Sequence, residues 1–224
     1  QKDGSEDQPE HDAHAELARL IRDGKLEEAQ ALLDPLRRDA PEDPRLLHAA
    51  TNIAQGRGDV ATALAHVETL LALTPDHAPL RIRRAFLLFE TGQDAQALAQ
   101  VSELVARNEA NANLLVRAAV SLGSSDPGSA LADTYLAAAL EHSPENPAVF
   151  MALSERAARR EGPEGALDWV RRGLRARPGH ADLLGRWIRL LRASASPEEV
   201  IEAIDASGQG HLAVLRIERA LSLR

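Results

Sequence analysis

The sequence predicts an all-α fold of stacked helix hairpins, on three observations. Gly24, Gly58 and Gly92 stand 34 residues apart, and so do Ala29, Ala63 and Ala97. Pro41 and Pro75 keep that interval, and Pro144 and Pro178 keep it again later in the chain. Apolar residues make up 44% of the 224 and are almost all aliphatic, with aromatics at only 3%. A period of this length marks units that bury their apolar faces on one another rather than in one closed core. A core of Leu, Ala and Val favours helix over strand.

Residues 1–9 are polar and acidic and read as a flexible tether, with order beginning near His11. Six hairpins should fill residues 10–206, over about 10–43, 44–77, 78–111, 112–146, 147–180 and 181–206. In the first, Ala13, Leu17 and Leu20 recur at helical spacing, and Gly24 ends the helix. Ala29, Leu32, Leu33 and Leu36 form the stripe of the return helix, which Pro35 should kink and Pro41 closes. The second hairpin repeats this plan with Leu47, Ala50, Thr51 and Ala54, then Gly58, then Ala63, Val67 and Leu70. In the third, Ala85 and Leu88 lead to Gly92 and to Ala97, Val101 and Leu104, but Glu109 stands where the closing proline belongs. The fourth slips by one residue, with a first helix over about 112–122 and a longer turn at 124–128. The fifth carries Phe150, Ser154 and Ala157, then Ala166, Val170 and Gly173. The sixth carries Leu184, Trp187, Ile188 and Leu191, and its second helix opens on Ser196-Pro197-Glu198-Glu199, a start signal. Residues 207–224 should hold a last helix over about 211–223, a cap or the beginning of a further repeat. Its Leu212, Leu215, Ile217, Leu221 and Leu223 cover more than one face, which predicts self-association or further repeats beyond it.

A net charge of −8, without interleaved basic and aromatic residues, argues against nucleic acid as a partner. The charge is uneven, since residues 154–192 hold ten Arg against five acids. The absence of cysteine excludes disulfides and Cys-ligated zinc and leaves the compartment open. No apolar run is long enough to span a bilayer. The chain opens on Gln1 rather than Met, which reads as a processed form or an excised piece with any leader removed from view, and leaves room for an N-terminal membrane tether. His11 and His14, beside Glu10 and Asp12, are a weak zinc-type cluster that reads more simply as a helix start. Arg57-Gly58-Asp59 is explained by the repeat turn. No phosphate loop, nucleophile elbow or paired-carboxylate constellation occurs, so no enzyme activity, cofactor or metal is expected.

Small residues at the eighth position of the second to fifth units, Ala at the twentieth and Pro at the thirty-second resemble the tetratricopeptide repeat, although Leu17 replaces the small residue in the first unit. Gly24-Lys25-Leu26-Glu27-Glu28-Ala29 and Gly58-Asp59-Val60-Ala61-Thr62-Ala63 are similar to its Gly-x-x-x-x-Ala segment. The resemblance implies a right-handed α-solenoid of about six antiparallel hairpins, followed here by the C-terminal helix. The family's large aromatic early in the first helix is replaced by Ala13, Leu47, Arg81 and Leu115, which implies looser packing in the N-terminal half.

The resemblance also implies that first helices line a concave groove. Carried over position by position, the groove takes His48 and Asn52 from the second repeat and Ile82, Phe86 and Phe89 from the third. Val116 and Val120 follow from the fourth, Met151, Glu155 and Arg159 from the fifth, and Asp182, Arg189 and Arg192 from the sixth. Ile82, Phe86, Phe89, Val116, Val120 and Met151 read as an apolar strip inside a polar rim, suited to a helix or an extended peptide. The alternative is that Phe86 and Phe89 are core. Some relatives capture a carboxylate with Lys and Asn. His48 and Asn52 match part of that set, Pro79 stands where a cation is needed, and Arg83 is the available substitute. Arg159, Arg186, Arg189 and Arg192 form a cluster that either receives an acidic group or is a solvated face.

These readings make the chain a protein-interaction scaffold or adaptor. The processed start and acidic tether suggest a bacterial periplasmic or envelope lipoprotein acting in assembly, secretion or exopolysaccharide export. The alternative is a recognition arm of a larger enzyme, such as a transferase, whose catalytic domain lies outside this chain.

Overall fold

The structure, a computed structural model, describes residues 7–194 and 196–206, and over these it holds twelve α-helices and no strand. They are α1 (Asp7–Arg22), α2 (Leu26–Asp39), α3 (Pro44–Gly56), α4 (Val60–Leu73), α5 (Ala78–Glu90) and α6 (Asp94–Ala106). Then follow α7 (Ala112–Ser125), α8 (Ala130–His142), α9 (Pro147–Arg160), α10 (Pro163–Ala176), α11 (Ala181–Ser194) and α12 (Pro197–Ala206). Each odd-numbered helix packs on the helix that follows it, and the chain divides into an N-terminal body, Gln1–Ala110, and a C-terminal body, Asn111–Arg224. Within each body the hairpins stack: α2 on α3 and α4 on α5 in the first, α8 on α9 and α10 on α11 in the second.

The turns explain the period. Gly24, Gly58 and Gly92 all sit at positive φ, 73°, 76° and 74°, where a side chain would be strained. The residue after each glycine donates its N–H back across the helix end: Lys25 to Leu20 O, Asp59 to Ala54 O and Gln93 to Leu88 O, at 2.8–2.9 Å. This is the Schellman closure. The residues before the periodic prolines, Ala40, Thr74, Ser143 and Arg177, all leave the helical region with ψ between 74° and 79°. Proline forbids its predecessor the α conformation, so the helix must stop there. The third hairpin has Glu109 instead, and it closes like the glycine turns. Asn108 takes φ 57°, and Glu109 N–H donates to Leu104 O at 2.8 Å.

Starts are equally local. Asp43, Asp59, Asn111, Ser129 and Asn146 each cap the following helix by accepting a backbone N–H. Ser196 and Glu199 form a reciprocal capping box, with Ser196 N–H donating to Glu199 Oε2 at 2.7 Å and Glu199 N–H to Ser196 Oγ at 3.3 Å.

Helix α2 holds Pro35 in its interior and runs to Asp39. Two details depart from the sequence reading. The helical backbone begins at Asp7, inside the segment read as a tether, and its first turn holds Pro9, which a first turn tolerates. Helix α7 runs to Ser125 rather than ending near residue 122, with the Ser124 and Ser125 hydroxyls donating to the Val120 and Ser121 carbonyls. The helix expected over 211–223 lies outside the described residues.

Both cores are mainly aliphatic, as composition demands, with Phe150 and Trp187 added in the second. Leu17, Leu20, Leu33, Leu46 and Ile53 are buried together in the N-terminal body, and Leu167, Val170, Leu183, Leu184 and Trp187 in the C-terminal body. Of the positions lacking the family's aromatic, Leu47, Arg81 and Leu115 are buried and Ala13 is half-buried.

Candidate functional site

The expected groove residues divide between the two bodies. In the C-terminal body, α9 packs on both α7 and α11, the first helices of the hairpins on either side. The three enclose a cleft of about 470 Å³. Val116 and Val120 of α7 line one wall, and Met151 and Ala152 of α9 the floor. Asp182, Gly185 and Arg189 of α11 form the other wall, and Glu155 stands at the α9 rim. Val120 is 39% exposed, a large surface for an apolar side chain.

The charges around this cleft differ in what they touch. Arg159 donates to Glu155 Oε1 at 2.8 Å and to the Gly123 carbonyl at 3.3 Å, so the Arg159 and Glu155 charges neutralise each other. Arg186 turns to the buried Ser154 hydroxyl at 3.4 Å. Arg192 is exposed and does not line the cleft. Arg189 lines it together with Asp182. The four arginines therefore occupy separate environments.

In the N-terminal body, His48 and Asn52 of α3 line a second cleft of about 310 Å³, completed by His14, Ala18 and Ile21 of α1 and by Arg45. Arg83 of α5 anchors this wall. It donates to Asn52 Oδ1 at 2.6 Å and through both Nε and Nη2 to Gln55 Oε1, so both acceptors are neutral. Partial burial lowers the Arg83 pKa from its ordinary value. Burial, followed by the charges of Arg83 and His77, holds the His48 imidazole below its usual value. On α5, Ile82 and Phe86 are half-buried and keep accessible surface. Phe89 is 3% exposed and gives a ligand almost nothing to touch, so it is placed as a core residue.

The sequence reading missed Ala148, Ala181 and Gly185, whose small side chains keep the α7–α9–α11 cleft open. One signal was available: a mid-helix glycine between Asp182 and Arg189. The side chains of Glu10, His11 and Asp12 lie outside the described ones. No group of three metal-ligating side chains comes together among the described residues.

Comparison with known proteins identifies the repeat. Residues 54–119 match the family model described as Tetratricopeptide repeat. No curated protein matches the chain. Among solved structures, the fold is similar to PilW, described as a widely conserved type IV pilus biogenesis factor, with a TM-score of 0.68 at 16% identity over 94% of this chain and 98% of that one. It is similar to a thermophilic tetratricopeptide-repeat protein of Thermus thermophilus, with a TM-score of 0.61 at 21% identity over 82% and 99% of the two chains. It is also similar to YrrB, described as a tetratricopeptide-repeat protein with an unusual peptide-binding site, with a TM-score of 0.57 at 20% identity over 75% and 87%. At these identities the likeness is one of fold.

Proposed function

The chain carries tetratricopeptide repeats, and from that premise we propose that it is a protein-interaction scaffold holding a segment of a partner protein on its first-helix faces. The cleft of α7, α9 and α11 is the principal site. One observation carries this reading: an apolar wall and floor at Val116, Val120 and Met151 are rimmed by charged side chains in a cleft of about 470 Å³. That size and chemistry suit an anchor side chain with fixed polar neighbours. In the N-terminal body, Ile82 and Phe86, with His48, Asn52 and Arg83, form a second ligand-facing surface.

A photo-crosslinking residue placed at Val120 should capture a defined partner segment, and Met151→Glu should abolish the capture. A control at Leu131, exposed on the second helix α8, should capture little. Equal or greater capture at Leu131 would overturn the reading.

The setting we favour is bacterial envelope assembly, which the acidic segment 1–9 supports. The other reading is a recognition arm in front of a catalytic domain, favoured by the apolar positions of 211–223. The sequence on either side of the chain separates them. A lipid-attachment cysteine upstream supports the first, and a transferase domain downstream supports the second.

A further inference from the structure

The C-terminal cleft has two walls of opposite character. The α7 wall presents Val116 and Val120. The α11 wall presents Asp182 and Arg189, seven residues apart and so nearly in line along one helix face. Neither charge has a hydrogen-bond or ion-pair partner among the described residues. Glu155, the third charge at the cleft, is already paired with Arg159. A carboxylate and a guanidinium of opposite sign, unpaired and two turns apart on one helix face, make this wall dipolar.

Gly185 lies between them on the same face. Glycine inside a helix costs about 1 kcal/mol relative to alanine, so its presence asks for a reason. At Gly56, Gly123, Gly165 and Gly173 a Cβ would come within 2.5–3.3 Å of a neighbouring side chain. At Gly185 it would meet only Arg189 Nη1, at an ordinary 3.7 Å. Packing within the chain therefore does not require this glycine, whereas an approaching ligand backbone would. The Arg189 guanidinium also leans back over Gly185, toward the Asp182 end of the helix, as helical side chains do. This brings the two charged heads closer than their Cα separation suggests.

We propose that this cleft binds an extended peptide segment of alternating pattern, with one basic and one acidic residue two positions apart facing α11 and apolar residues facing α7. The inference rests on the reading of the cleft as the protein-binding site. An extended chain sends alternate side chains to opposite sides and advances about 7 Å over two residues. A ligand of this kind meets the charged wall with one set of side chains and the Val116–Val120 wall with the other. Its basic residue pairs with Asp182, its acidic residue with Arg189, and its main chain passes over Gly185.

The test uses the full chain and the probe acetyl-Leu-Lys-Val-Glu-Leu-amide, followed by amide chemical shifts in an NMR titration. The expected result is shifts confined to α7, α9 and α11, with affinity at least about fivefold above that of the Leu-Lys-Val-Lys-Leu and Leu-Glu-Val-Glu-Leu analogues. Arg189→Glu or Asp182→Lys should each weaken binding about tenfold. The double reversal should recover it, because the peptide then binds in the opposite chain direction. Both positions are exposed, so the variants keep the fold, which circular dichroism checks. The proposal is overturned if the probe produces no shifts, if the three peptides bind equally, or if a helix-forming peptide with its charges seven residues apart binds better. Loss of binding in Val120→Glu alongside indifference to both charge reversals would leave the cleft as an apolar docking site and remove the dipolar peptide.

Discussion

Arg81→Met tests how the third hairpin replaces two elements of the repeat at once. Arg81 stands at the position of the family's aromatic, and Glu109 at the position of the closing proline. The two substitutes are partners: Arg81 Nη1 donates to Glu109 Oε2 at 3.1 Å, while Nη2 reaches Glu103 Oε2 at 3.4 Å. The Arg81 side chain is 7% exposed, Glu109 28% and Glu103 65%. A hydrogen bond to a charged group contributes about 1.5–3 kcal/mol when well buried, whereas an exposed ion pair contributes at most about 1 kcal/mol. Methionine retains most of the stem's packing and removes the charge. Allowing for the partial exposure of Glu109, the Arg81–Glu109 coupling should be about 1–2 kcal/mol and the Arg81–Glu103 coupling below about 0.5 kcal/mol. Double-mutant cycles with Glu109→Gln and Glu103→Gln, read by urea unfolding at about 0.15 M and about 1 M salt, measure both. The larger coupling should survive high salt because the guanidinium is shielded from solvent. Equal couplings, or a Glu109 coupling that vanishes at high salt, would show an ordinary surface pair and refute the reasoning.

Gly173→Leu should destabilise the C-terminal body by more than about 3 kcal/mol, since even a Cβ would sit 2.9 Å from Phe150 and 3.0 Å from Leu183. Gly185→Ala should instead stabilise by about 0.5–1 kcal/mol while weakening the peptide probe, and thermal unfolding distinguishes the pair. Phe89→Ala should cost about 3–5 kcal/mol and Phe86→Ala less than about 2 kcal/mol, as measured by urea unfolding. The pKa of His48 is lowered in the fold, so the unfolded chain takes up a proton first as pH falls below the ordinary imidazole value of about 6.5. Stability of the N-terminal body should therefore fall from that value down through the lowered folded one. Burial lowers the His66 pKa in the same body as well, so His48→Gln should remove only part of this slope and His48→Gln with His66→Gln most of it, as followed by unfolding across about pH 5–8.

Much of this protein was readable before any coordinates, because its punctuation is local. A glycine that must take positive φ, a proline that bars its predecessor from the helix and a Ser-Pro-Glu-Glu start each act within about five residues. Gly24, Gly58, Gly92, Pro41, Pro75 and Ser196 accordingly place the ends of their helices from sequence alone. Where local signals competed, the reading slipped. At Ser124 and Ser125 the hydroxyls bond back to helix carbonyls and carry α7 farther than a turn-rich sequence suggests.

Chain order and spacing determined the helical hairpins, their number over the described residues and the residues offered to each helix face. Only tertiary packing decided which of those residues reach solvent. Phe86 and Phe89 are three positions apart on one helix, yet one keeps accessible surface and the other is buried. Arg81 and Glu109 look like two defects 28 residues apart until the fold brings them to 3.1 Å. Position alone offers both Arg159 and Arg189 to the groove, but Glu155 pairs with the first while the second faces the cleft without a partner among the described residues. The physical reason is reach. Backbone dihedrals answer to near neighbours in the chain, whereas burial and charge pairing depend on side chains one repeat or more away.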